Sequence, residues 1–301
     1  MFKNFKEIEE RILERNLAKR VVLAGAHDED ALSAVVHAKR KGVIRAILIG
    51  DVDKIQALLQ NMGENKRDYR IVRGENEQEC ARIACEMVHQ KEADIPMKGL
   101  MQTSTFMRAI LNKQAGFLNE GDLLSQATVL EWPETNRLLI ITDCAVNITP
   151  EYKDKIKILN NAVHLANKLG KDNPKVAVIA PVEVINPSIP ATIEAAMLSK
   201  AAQRGQIKDC IVDGPLGLDN AISMEAARHK GIKSEVAGAA DILIMPELAT
   251  GNVFTKSLVY FAKLPSAGTL NGTTSPVVMT SRTDTPENKY YSILTAILQS
   301  L

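Results

Sequence analysis

Residues 21–50, VVLAGAHDEDALSAVVHAKRKGVIRAILIG, decide the fold class. Val21-Val22-Leu23-Ala24 is a short β run stopped by Gly25, and Ile44 to Ile49 is a second, closed by Gly50-Asp51. Between them Asp28 to Lys41 carries a helical apolar period, with Asp28 at the capping place and Gly42 just past the end. Strand, helix and strand in that order imply a parallel pair joined by a right-handed crossover. The chain reads as an α/β protein.

The same rhythm runs outward. Residues 54–62, 75–90 and 104–113 carry helical patterns, and 95–101 is a further apolar run. Then the pattern changes. Strands at 126–132 and 137–142 are joined by Pro133-Glu134-Thr135-Asn136, a loop short enough for an antiparallel hairpin. Beyond it the sequence predicts helices over 150–169 and 190–204, from about Asn220, and over 253–263. Strands are predicted at 176–180, 209–212 and 241–245. At the end, Val277-Val278-Met279 is a strand and Thr285-Pro286 opens a helix by cap and proline. Tyr290, Leu294, Ile297 and Leu301 follow at spacings of 4, 3 and 4, a single buried stripe. With 301 residues, no repeat and no flexible linker, two tightly joined domains are expected.

Composition narrows the function. Hydrophobic residues make up 46% and charged residues 24%, and 37 basic against 36 acidic residues leave a formal net charge of +1. That balance supports neither a nucleic-acid surface nor a membrane surface, though it allows a local basic pocket. The N-terminus opens a charged helix rather than a signal peptide, and no apolar run reaches the length of a span, so a cytoplasmic location is expected. Cys80, Cys85, Cys144 and Cys210 match no disulfide framework or zinc set. His27, His37, His89, His164 and His229 are scattered and form no metal pair, so no metal site is expected. His27 alone stands beside a strand edge. The phosphate loop, the dinucleotide fingerprint and the nucleophile elbow are all missing.

The candidate residues sit where apolar runs end, which in an open α/β sheet is where ligands collect. A helix starting near Ser104 has hydroxyls at Thr103, Ser104 and Thr105, with Arg108 about one turn in. Unpaired N–H groups, hydroxyls and a guanidinium fork make a phosphate seat; the plainer reading is a capped helix with a surface arginine. Ser281-Arg282 follows a strand and precedes the proline-started helix, and Asp284 is either a general base or a helix cap. Gly251-Asn252 reads as an anion-cradling turn before a helix, and Asp213-Gly214-Pro215 as a turn after a strand, its aspartate held by an Asx bond or lining a site. Lys98-Gly99 interrupts an apolar run, either as a snorkelling lysine or as the functional edge of the sheet.

These segments, with Thr142-Asp143-Cys144-Ala145-Val146-Asn147, Val212 to Asn220 and Val236 to Asp241, resemble the phosphate acetyl/butyryl transferase family, the butyryl type above all, in the family's order and over nearly the whole chain. The resemblance implies a two-domain, three-layer α/β/α fold like that of the isocitrate and isopropylmalate dehydrogenases, with the site in an interdomain cleft. It implies a first domain of residues 1–122 plus 268–301 and a second of 123–267. It implies transfer of a butyryl or similar short acyl group between coenzyme A and inorganic phosphate, with no cofactor, a homo-oligomer, and an acyl (butyrate) kinase acting next. By resemblance Ser281 and Arg282 serve the CoA and phosphate site, Arg108 binds the anionic substrate, and Thr103 is a small hydroxyl nearby. Where acetyl-specific relatives carry a carboxylate base, Asn288 stands, with Glu287 beside it and Asp284 nearer the pair. A second anion-binding arginine has no counterpart here. Two rival readings are a metal- and nicotinamide-dependent decarboxylating dehydrogenase of the same fold, which needs clustered aspartates, and an acyl-CoA sensor without turnover.

Overall fold

Apolar runs bounded by glycine and by side-chain caps set the elements. The computed structural model describes residues 1–301. In chain order these are α1 (Phe5–Glu14), β1 (Lys19–Ala24), α2 (Glu29–Arg40), β2 (Ile44–Gly50), α3 (Val52–Asn61), β3 (Arg70–Arg73), α4 (Glu77–His89), β4 (Ile95–Lys98) and α5 (Thr103–Ile110). Then come β5 (Ser125–Trp132), β6 (Arg137–Thr142), α6 (Tyr152–Lys168), β7 (Lys175–Ile179), α7 (Pro190–Gln203), β8 (Ile211–Leu216), α8 (Leu218–Ile222), α9 (Met224–His229), β9 (Ile242–Ile244) and α10 (Leu248–Tyr260). The chain ends with β10 (Ser266–Asn271), β11 (Val277–Val278) and α11 (Pro286–Gln299).

The chain forms two compact units, residues 5–122 with 267–301, and residues 1–4 with 123–266. Residues 1–4 therefore group with residues 123–266 and not with the first domain, where the resemblance puts them. The reason is local: the Phe2 N–H donates to Leu169 O at 3.0 Å, and the terminal amine of Met1 donates to Gly170 O.

In the unit of residues 5–122 and 267–301 the strand order is β3-β2-β1-β4-β11-β10, parallel except where β10 meets β11. Right-handed crossovers in this order put α2 and α3 on one face and α4 on the other, giving three layers. Asp28 caps α2 by accepting the Asp30 and Ala31 N–H groups, each at 3.1 Å. The C-terminal helix α11 packs on α1 and α2 and is buried on nearly every side. Its Ile293, Leu294 and Ile297 are fully enclosed, each contributing about 1.5–3 kcal/mol of apolar burial. Leu301 lies past the helix end and is exposed, so the predicted stripe stops at Ile297.

In the other unit the order is β5-β6-β9-β7-β8, with β5 antiparallel to β6 as the short loop requires and the rest parallel. The direction of each crossover puts α6 and α7 on one face, and α8 and α9 on the other. A core of Leu139, Ile141, Leu216, Leu243 and their neighbours packs against Phe254 and Leu258 of α10.

Four elements differ from expectation. β3 and β10 are strands that the apolar pattern does not mark, because β3 carries only Ile71 and Val72 and β10 is mostly small and polar. β8 continues through Asp213-Gly214-Pro215, where a break in register opposite Ala177 and Ile179 absorbs the extra residue. α10 begins at Leu248 rather than at Val253. No helix is long and apolar enough to cross a membrane.

Candidate active site

In the unit of residues 5–122 and 267–301, β1 and β4 continue to pair past their strand ends. The Gly99 N–H donates to Ala24 O at 2.8 Å and the Leu100 N–H to Gly25 O at 2.9 Å. A side chain does not fit there: a Cβ on Gly99 would lie 2.4 Å from Gly25 O, and one on Gly25 2.8 Å from Leu100 O. This close approach seals the end of β4 and buries Lys98, which is 3% exposed. Lys98 therefore does not snorkel. Its amine donates to Gly99 O at 3.2 Å and, at the long limit of 3.5 Å, to Met101 O. No carboxylate lies within ion-pair distance, as it does for Lys155, the buried lysine of the other unit, which pairs with Glu194. Burial above all, and then the charge of Arg282, hold the Lys98 ammonium below the usual lysine range, with Asp28 and Asp284 pulling the other way.

β11 lies beside β4, with Val278 opposite Met97, so Thr280 to Arg282 leave the sheet next to the end of Lys98's strand. Ser281 to Asp284 form a turn. The Asp284 carboxylate accepts the Ser281 N–H at 2.7 Å, and the Ser281 and Thr283 hydroxyls are 3.1 Å apart. Lys289, only 1% exposed, donates its amine to Ser281 O at 3.2 Å and to Asp284 O, closing the turn from the inside. Thr285 caps α11 by accepting the Asn288 N–H at 3.2 Å, with Pro286 next. Ser281 and Arg282 are left exposed on the rim, while the Thr280 hydroxyl and His27 Nδ1 are buried with no hydrogen-bond partner. Asp284 is thus the staple of the turn rather than a helix cap. Glu287 accepts the Tyr291 hydroxyl at 2.6 Å.

Thr103 and Arg108 are placed differently from each other. Thr103 is the exposed first residue of α5, whose N-cap is Gln102, so neither Thr103 nor Ser104 caps the helix. Arg108 falls in the last turn of α5, where it lines a cavity of about 280 Å³ with Arg82, Cys85, Glu86 and Thr105. The structure groups Arg282 with Lys98 and Lys289, and Arg108 with the Arg82–Glu86 pair of α4.

In the other unit the candidates are consumed by the fold. Gly251 and Asn252 lie inside α10, not in a turn before it. The N-terminal N–H groups of Ala249 and Thr250 already donate to Glu247, at 2.7 and 2.8 Å. Gly251 is required because a Cβ there would lie 2.3 Å from Asp143 O. Asn252 donates to Cys144 O at 3.0 Å, and the Thr255 hydroxyl to the Cys144 sulfur at 3.1 Å, binding α10 to the segment after β6. Burial pushes the Cys144 thiol up to about 12, so it rests protonated. Buried Asp143 accepts from the N–H groups of Ala145, Val146 and Asn147 and from the Asn147 amide. Asp213 is in mid-strand and accepts the Gly214 N–H at 2.8 Å and the Ser199 hydroxyl at 3.4 Å.

Residues 57–297 match the protein family described as phosphate acetyl/butaryl transferase. The phosphate butyryltransferase of Clostridium acetobutylicum is 48% identical over 298 residues, covering 99% of this chain and 98% of its own. This chain belongs to the phosphate acetyl/butyryl transferase family.

Among solved structures, a branched-chain phosphotransacylase from Enterococcus faecalis superimposes with a TM-score of 0.84 at 32% identity, covering 94% of this chain and 99% of that one. A 4-hydroxythreonine-4-phosphate dehydrogenase from Klebsiella pneumoniae matches at 12% identity with a TM-score of 0.54, over 94% of this chain and 99% of its own, a likeness of fold alone. In this family member the sequence leaves Lys98 between two roles and does not mark Lys289 as a site residue. The signal for Lys289 is its spacing, four residues before fully buried Ile293 on the same helix.

Proposed function

We infer that the chain transfers a short acyl group between coenzyme A and inorganic phosphate, acyl-CoA plus phosphate in equilibrium with acyl phosphate plus CoA, with butyryl or a similar chain as the preferred group. The 48% identity with a phosphate butyryltransferase along essentially the full length of both chains carries this reading.

The chemistry asks for little machinery. A thioester is already activated, so a phosphate oxygen attacks its carbonyl carbon directly. The C–S bond then breaks, and CoA leaves as thiolate without a covalent enzyme intermediate. The protein has to hold anions and stabilise the developing oxyanion, a role in which one lost donor costs about 10²–10³ in rate. Arg282, on the rim beside a buried lysine pair, receives the phosphate as a planar fork. Exposed Ser281 donates its hydroxyl. In the opposite direction the CoA thiol must lose a proton, since a thiol is mostly protonated near neutral pH. Asp284, held at the turn by the Ser281 N–H, is the carboxylate assigned to take it in this reading. Thr103 and Arg108 on α5 are assigned to the anionic part of the acyl-CoA. Gly251, Asn252 and Asp213 act by holding their own unit's shape. No step transfers an electron or needs a metal. A cytoplasmic homo-oligomer feeding an acyl kinase completes the reading.

The test is release of free thiol from butyryl-CoA by the purified protein. Release is expected only when phosphate is present, and the same rate without phosphate would identify a thioesterase instead. Rates with acetyl-, propionyl-, butyryl- and isobutyryl-CoA then define the acyl group.

A further inference from the structure

A buried ammonium without a carboxylate is costly, because neither water nor an opposite charge compensates for its desolvation. Lys98 is in this state, its amine resting on two backbone carbonyls at 3.2 and 3.5 Å. An ammonium has three donors, so two such bonds leave capacity for another acceptor. On the neighbouring strand, the register of Val278 with Met97 places Thr280 about one rung past Lys98. The Thr280 hydroxyl is buried with no partner of any kind. A second buried lysine, Lys289, is spent on the carbonyls of Ser281 and Asp284 and so adds charge without offering a ligand. Arg282 follows on the rim, and the acids within electrostatic reach of Lys98, Asp28 and Asp284, are offset by these cations, with Asp284 bonded to the Ser281 N–H. Two neighbouring strands thus end with donors that lack acceptors. An oxyanion with several acceptor oxygens would supply them.

We propose that the Lys98 ammonium and the Thr280 hydroxyl are direct ligands of the substrate phosphate, forming the inner half of a site whose outer half is Arg282. This rests on the acyl-transfer reading above. It explains why a cation is kept at the sealed end of a buried strand. Lys98 gives a compact charge to one phosphate oxygen, and Arg282 presents its fork to others. Thr280 donates to the phosphate rather than to the protein.

The experiment uses two variants of the whole chain, Lys98→Met and Thr280→Val, with inorganic phosphate as the probe. Two quantities are read: the rise in melting temperature with added phosphate, and the KM values for phosphate and butyryl-CoA. In the parent protein phosphate should raise the melting temperature, as any ligand of the folded state does. Lys98→Met should keep or raise the melting temperature without phosphate, since a buried uncompensated charge is gone. It should raise the phosphate KM about 10- to 100-fold, the worth of a charged hydrogen bond, and change the butyryl-CoA KM by less than about threefold. Thr280→Val, nearly isosteric, should weaken phosphate by about three- to tenfold at unchanged stability. An effect in Lys98→Met alone supports the lysine and removes Thr280. If Lys98→Met does not fold, Thr280→Val decides, and an unchanged phosphate midpoint there overturns the proposal. Unchanged phosphate binding in both variants overturns it outright. A parent protein that is protected by phosphate but releases no thiol would instead defeat the acyl-transfer reading and leave the anion site standing.

Discussion

The candidate residues at the strand ends are satisfied to different degrees in the two units, although residues 123–266 also hold buried polar atoms without a partner, on Gln126, Arg137 and Asn220. In residues 123–266, Asp143 is saturated by four N–H donors, Asn252 holds Cys144 O, and Asp213 holds Gly214 and Ser199. In residues 5–122 with 267–301, Lys98 has only carbonyl partners, and the Thr280 hydroxyl and His27 Nδ1 have none. A saturated network fixes a shape, whereas an unsatisfied donor in a dry place is retained at a cost and calls for a ligand. Residues of both units stand in motifs of the same family, so motif membership alone does not separate the two roles. Counting the partners of these candidates does.

The largest effect expected of this difference is at Arg282. It is exposed, so Arg282→Ala should change the melting temperature by no more than a surface substitution does, within about 0.5 kcal/mol. Phosphate-dependent thiol release should fall by about 10²–10³ or more. Full activity in the variant would remove the rim of the site and with it the claim that this unit's unsatisfied donors serve binding.

Gly251 tests the other side. A methyl group there meets Asp143 O, a backbone atom that cannot rotate away. Gly251→Ala should therefore destabilise the chain by about 1–3 kcal/mol, read as a lower denaturant midpoint. The KM for phosphate, measured where the variant is folded, should stay close to that of the parent. The opposite pattern, normal stability with lost phosphate or CoA binding, would show that α10 does carry a ligand and would erase the contrast.

Legibility in the sequence divided along another line, between features with local causes and features with distant ones. The βαβ start was readable because β1 and β2 are nearly continuous apolar runs, and Asp28 and Thr285 were readable as caps because capping is a local bond. β10 was not, since Ser266–Asn271 owes its strand to pairing with β11 and not to its own side chains. Gly251 looked like a breaker before a helix because its reason, the approach of Asp143 O, lies in a segment far away along the chain. Arg108 looked one turn inside a helix start, but α5 is only 8 residues long, and the arginine falls at its end. Lys98 was visible as an anomaly in an apolar run. Its lack of a carboxylate could be known only once β11 stood beside β4.

The smallest effect lies between the two kinds of residue. Thr285 belongs to the binding unit, yet its hydroxyl is spent on the Asn288 N–H, so it should behave like the saturated residues. Thr285→Ala should cost about 1 kcal/mol of stability as a lost cap. The Ser281–Asp284 turn has separate supports in the Asp284 carboxylate and the Lys289 amine, and these remain in the variant. Turnover should therefore stay within about threefold of the parent, since a residual loosening of the helix start is worth only a fraction of the cap. An unchanged melting temperature would contradict the cap. A large loss of turnover at normal stability would mean that the turn depends on the cap and not on Lys289. In that case the buried lysine would need another reason to be there.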